Sequence, residues 1–144
     1  MSRLLVVGLG LLALAACNDL RDFRGAWSGP RVGEAMPLRL GVADDAEALL
    51  VIESLDRHGL RGHLTVDRLT DGDVESLAGA EADVLAGMTF AGSPLRVYLA
   101  FVPVSDGGGD LLAVIALYAD DRVEVRLLRG GAQPVYAVFD LTAA

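Results

Sequence analysis

The sequence predicts an all-β fold, an antiparallel meander of eight to ten strands closed into a barrel or folded as a sandwich. Three observations predict it. From Gly25 onward apolar and polar residues alternate with period two, as strands with one buried face require. The segments between these runs are short and rich in Gly, Asp and Pro. The runs recur at a spacing of roughly 8 to 12 residues, which suits a meander rather than strands separated by helices.

The first strand opens in "RGAWSG", Arg24 to Gly29, which holds the single tryptophan, Trp27. Met36, Leu38, Leu40 and Val42 then share one face, with Arg39 on the other. "DRHG", Asp56 to Gly59, reads as a turn, because Asp bonds its own backbone and Gly tolerates positive φ. Leu60, Gly62, Leu64 and Val66 alternate with Arg61, His63, Thr65 and Asp67. "TDGD", Thr70 to Asp73, predicts another turn. The stretch "DVESLAGAEA", Asp73 to Ala82, fits one helical turn, although Asp71-Gly72 before it favours a hairpin. Val84, Ala86, Met88 and Phe90 repeat the alternation. Beyond the strands at Leu95 to Val104 and Leu111 to Ala119, joined by "SDGGGD", comes the turn "ADDR", Ala119 to Arg122. Val123, Val125 and Leu127 then alternate with Arg122, Glu124 and Arg126, and Val135, Ala137, Phe139 and Leu141 share the inner face of the last strand.

Two of these strands are apolar on both faces. In "LLAVIALYA" Leu111, Ala113, Ile115 and Leu117 face one way, and Leu112, Val114, Ala116 and Tyr118 the other. In "LRVYLAFVPV" Tyr98, Val102 and Val104 oppose Leu95, Val97, Leu99 and Phe101. The outer face of a one-layer barrel should be polar, so something must cover the second face. Three coverings fit: another part of the chain, a partner or second copy, or an interior enlarged around an apolar ligand.

The first 16 residues form a separate unit. A single basic residue, Arg3, precedes an apolar run from Leu4 to Ala16, and Cys17, the lone cysteine, follows. Thirteen helical residues span roughly 20 Å, short of the ~30 Å hydrocarbon core, so the run fits a signal peptide better than a membrane span. Leu14-Ala15-Ala16-Cys17 resembles the lipobox of bacterial lipoproteins. That resemblance implies cleavage between Ala16 and Cys17, a diacylglycerol thioether on Cys17 and an acylated new amino terminus, with chains such as palmitate. Two or more chains hold a protein stably where one does not. The expected organisation is residues 1–16 as signal peptide, 17–24 as lipidated cysteine and short tether, and 25–144 as one all-β domain. Asn18 stands where Asp resembles an inner-membrane retention signal in enteric bacteria, which favours the outer membrane, facing the periplasm.

Charge narrows the partners. All twelve basic residues are arginines, and eleven remain after cleavage against twenty Asp and Glu, a net charge of −9. Nucleic acid, which requires a basic patch, is excluded on this reading. Contact with a membrane falls to the lipid anchor. Without a second cysteine the exported domain relies on its core rather than on disulfides.

Chemistry-bearing arrangements are sparse. His58 and His63 differ by five and point to opposite faces of a regular strand, and His63 beside Asp67 lacks a third metal ligand. Gly-x-Ser-x-Gly does not occur, and Ser54, Ser76 and Ser93 stand in no motif. Asp44-Asp45 and Asp120-Asp121 sit in turns, and "DGGGD" is a single copy of a calcium-loop-like pattern. The expectation is a non-enzyme with no metal and no cofactor.

Gly25-Ala26-Trp27 resembles the Gly-x-Trp signature that opens lipocalins and related calycin barrels. The resemblance implies a Trp closing one end of the barrel and an Arg of a late strand, here Arg126 or Arg129, packed across it. Two functions follow. One is a non-catalytic binding or structural module that meets an envelope protein or a second copy through the apolar faces around Tyr98, Tyr118 and Tyr136. The other is a calycin-like carrier of a small apolar molecule, in a cavity lined by Val97, Leu99, Phe101, Ile115 and Phe139 with Trp27 at its closed end.

Overall fold

The computed structural model describes residues 19–32, 41–77, 90, 92–104 and 107–144. A 3-10 helix, Asp19–Phe23, leads into eight antiparallel strands: β1 (Gly25–Val32), β2 (Glu47–Leu55), β3 (Leu60–Val66), β4 (Thr70–Glu75), β5 (Arg96–Val102), β6 (Leu111–Tyr118), β7 (Arg122–Arg129) and β8 (Val135–Ala143). They form one sheet in the order β4-β3-β2-β1-β8-β7-β6-β5. Every pair but one is a sequence neighbour, and the exception, β1 with β8, closes the meander on itself. The result is a barrel-shaped sheet. Its seam lies between β4 and β5, which the described residues join by one bridge, Ser76 with Ala100, and by the Leu77 N–H donating to the Leu99 carbonyl at 2.7 Å.

Alternation drives the closure. Leu60, Leu64 and Val66 of β3 face inward while Arg61, His63 and Thr65 face out. Inward residues of all eight strands meet in one core that includes Leu50, Leu64, Tyr98, Ile115, Leu127 and Phe139, each fully buried. An eight-stranded barrel is just wide enough for side chains to fill. Here they fill it.

Several sequence expectations shift. "TDGD" is the start of β4, not a turn; the chain reverses one step earlier, at Asp67 to Leu69, where Arg68 adopts φ 58° and the Leu69 N–H donates to the Val66 carbonyl at 3.0 Å. Tertiary contact selects this arrangement. Thr70 donates to the Pro103 carbonyl at 2.6 Å, and Gly72 lies so close beneath Pro103 that a Cβ there would sit 2.7 Å from its ring. The glycine read as a turn former is a site of close approach. β2 was not singled out by period, because Leu49 and Val51 put apolar residues on its outer face as well. Met36, Leu38 and Leu40, and likewise Val84, Ala86 and Met88, lie outside the described residues. Val42 is buried at a bend and Phe90 lies in irregular chain, so neither ends a strand. The turns at Asp56 and Asp120 stand: Asp56 Oδ1 accepts from the N–H groups of His58 and Gly59, and Asp121 takes φ 56°.

Candidate functional site

The doubly apolar strands β5 and β6 build a second hydrophobic cluster outside the barrel. Val97, Leu99, Val114, Ala116 and Tyr118 are buried on the outer face, with Phe90, Leu112 and Leu128 packed against them. Part of the chain therefore covers this face, as one of the three sequence-based alternatives required. The cover ends at the β5 flank. Phe101 and Leu95, on the same outward side, remain 53% and 39% exposed.

The residues assigned to a ligand cavity do not share a space. β5 and β6 pair Tyr98 with Ile115 and Leu99 with Val114, so Ile115 faces inward with Tyr98 while Val97, Leu99 and Phe101 face outward. Phe139 is in the inner core, and Tyr136, half-buried, is on the outer side of β8. The proposed lining is thus split between two faces. Of the three tyrosines grouped for partner contact, Tyr98 is also inside, and its hydroxyl donates to the Asp56 carbonyl at 2.7 Å, which fastens the β2–β3 turn to the barrel.

Trp27 is a buried core residue at the barrel end, but no arginine lies across it among the described contacts. Its partner is Phe23: the rings stack at 5.4 Å and 26°, and the indole N–H donates to the Phe23 carbonyl at 2.9 Å. Phe23 comes from the 3-10 helix, where the sequence predicts only a short tether over "DLRDF". Arg126 instead lies over the Phe90 ring at 4.8 Å and pairs with buried Glu124, whereas Arg129 donates to the carbonyls of Gly109 and Gln133. Arg126 is outside the barrel because it alternates with inward Val125 and Leu127, and Arg129 ends β7 at the barrel end opposite Trp27. Nearby, Arg122 covers the Tyr118 ring at 4.1 Å, and the buried Tyr118 hydroxyl has no hydrogen-bond partner among the described residues. Burial pushes that hydroxyl above its ordinary pKa.

His63 pairs with Asp73 and Asp71 rather than with Asp67. Nδ1 is 3.0 Å from Asp73 and Nε2 meets Asp71, which also accepts from Thr65, whereas Asp67 accepts the Glu47 N–H. Cross-strand pairing with β4 explains the change, since His63 sits directly opposite Asp73. Both imidazole nitrogens are thereby committed to carboxylates, and among the described residues no three metal-ligating side chains are grouped to hold an ion. Hydrogen bonds to Asp73 and then Asp71 raise the His63 pKa. A raised folded-state value means that this contribution to stability is complete below the ordinary imidazole range and is lost as pH climbs through the raised value. Urea midpoints measured across that window should fall with rising pH, and a His63→Gln variant should flatten this fall. An identical slope in the variant would contradict the pairing.

The barrel end that carries Trp27 also has a surface cleft of about 600 Å³, lined by Arg24, Ser54, Asp56, His58, Arg61, Glu75 and neighbouring residues. Its lining carries both charges, and Arg61 pairs with Glu75 at 2.9 Å. Cys17 and Ala16, the residues of the lipidation and cleavage reading, lie outside the described residues. Comparison of the chain with protein-family models, with curated proteins and with solved structures gives no match.

Proposed function

We propose that the chain is a lipid-anchored envelope lipoprotein, tethered through Cys17 at the periplasmic side of the outer membrane. Its barrel acts as a non-catalytic binding or structural module through the uncovered flank of its outer apolar strand face. The observation that carries this reading is the contrast between the two faces of β5. Inside, Tyr98, Ala100 and Val102 are sealed in a filled core. Outside, the apolar cluster continues into exposed Phe101 near the far end of β5. An exposed aromatic group at the rim of a packed cluster suits contact with an envelope protein or a second copy.

The carrier reading keeps one supporting observation, the closed eight-stranded meander with Trp27 at its end. It requires the filled interior to open around a ligand.

The two separate on a surface variant. Phe101→Arg removes an exposed apolar group and should leave unfolding stability within about 0.5 kcal/mol. Sedimentation of gently solubilised full-length chain should show loss of the larger assembly that wild type forms. A variant that assembles as wild type does would contradict the module reading.

A further inference from the structure

We propose that the barrel end carrying the 3-10 helix is seated directly on zwitterionic phospholipid headgroups; this rests on the anchored reading of Cys17. Residues 18–24 would span at most about 25 Å if extended. The structure leaves no such reach. Asp19–Phe23 is coiled into a 3-10 helix, with Leu20 packed on the core and Phe23 stacked on Trp27. Only Asn18 stands between that helix and Cys17. An acyl chain on Cys17 therefore draws one end of the barrel to the bilayer surface, and the meander identifies which groups are there. In an up-and-down barrel every odd strand begins, and every even strand finishes, at the same end.

That end gathers the three described arginines that make no hydrogen bond or salt bridge. Nine arginine side chains are described, and six are engaged: Arg31 with Asp44, Arg61 with Glu75, Arg68 with Asp45, Arg122 with Asp140, Arg126 with Glu124, and Arg129 with backbone carbonyls. The other three are Arg24 before β1, Arg57 in the β2–β3 turn and Arg96 at the start of β5. All three are exposed, and all lie at the 3-10 end. Exposed Leu77 and Leu95, which follow β4 and precede β5, sit there too. Exposed Asp22, Asp56, Asp120 and Asp121 share the same end, with Asp56 next to Arg57, so the surface is mixed in charge rather than basic. Headgroups that pair a phosphate with an ammonium match it: guanidinium forks bind the phosphate, carboxylates meet the amine, and the leucines reach the glycerol level. This explains how an acidic domain can lie flat against lipid without a basic patch.

The test uses full-length chain from bacterial membranes, reconstituted in phosphatidylcholine–phosphatidylethanolamine vesicles that carry a headgroup quencher. Intact mass establishes whether Cys17 is acylated. Fluorophores are placed at Ser93→Cys, near the seated end, or at Ala132→Cys, in the loop before β8 at the other end. Several-fold stronger quenching at position 93 is expected, and in an Arg24→Glu, Arg57→Glu, Arg96→Glu variant with an unchanged circular dichroism spectrum the difference should shrink. Equal quenching at the two positions of an acylated chain overturns the seat alone. A triple variant with undiminished asymmetry overturns the headgroup contacts. An unacylated Cys17 overturns both the anchored reading and the seat built on it.

Discussion

Trp27→Ala should lower unfolding stability by about 4 kcal/mol, as large-to-small changes at buried aromatics do. Three losses combine: the buried indole, its stack on Phe23, and the hydrogen bond to the Phe23 carbonyl. Because Phe23 anchors the 3-10 helix, that helix should detach as well, and hydrogen exchange over Leu20 to Arg24 should rise more than over β6. Trp27→Phe retains a ring but removes the donor, so about 1 kcal/mol should be lost. Against a typical total of roughly 5–15 kcal/mol, the alanine variant would be marginal. Urea unfolding measures both. A loss below about 1 kcal/mol for Trp27→Ala would contradict the burial of Trp27 against Phe23 in the core.

The second large effect is expected where the barrel closes. Gly29 lies in β1 between β2 and β8, and a Cβ there would fall well inside contact distance of the Asp140 carbonyl oxygen. The obstacle is backbone, so it yields only if β1 and β8 separate. Gly29→Ala should cost about 3 kcal/mol or more, by overpacking at a site unable to relax. Amide protection in β8 should fall before that in β6 and β7. Gly130→Ala provides the contrast. It is exposed, nothing lies within 4 Å of its would-be Cβ, and its effect should stay within about 0.5 kcal/mol. Equal effects of the two substitutions would contradict closure through the β1–β8 pair.

Much of the barrel was legible because period two survives wherever one face is polar. β3, β7 and β8 alternate plainly, and the two faces of β5 and β6 divide as their spacing indicates. β4 was hidden by composition. Its Asp-Gly resembles hairpin chemistry, while the real reversal uses Arg68, which carries no turn signal. Gly72 pairs with Leu64 in the β3–β4 ladder and lies close beneath Pro103, some thirty residues later, and neither contact is visible in local composition. β2 was obscured for the opposite reason, since outward Leu49 and Val51 blur its alternation.

For the candidate site, spacing gave faces within a strand but not register between strands. That Ile115 opposes Tyr98 rather than Leu99 depends on where the β5–β6 connection ends, and a shift of one residue exchanges inside for outside. The same limit placed His63 beside Asp67 in sequence when its partners are across the ladder at Asp71 and Asp73. The engagement of Arg126 by Glu124 and Phe90, and hence its absence from Trp27, also depends on packing that no local pattern encodes.

Native mass spectrometry of the full chain, extracted from bacterial membranes and stripped of detergent, tests the central claim most directly. The expected result is a chain that begins at an acylated Cys17 and holds no separate apolar small molecule, since the interior is already filled by its own side chains. An unmodified Cys17, or a stoichiometric apolar adduct that persists after detergent removal, would contradict it.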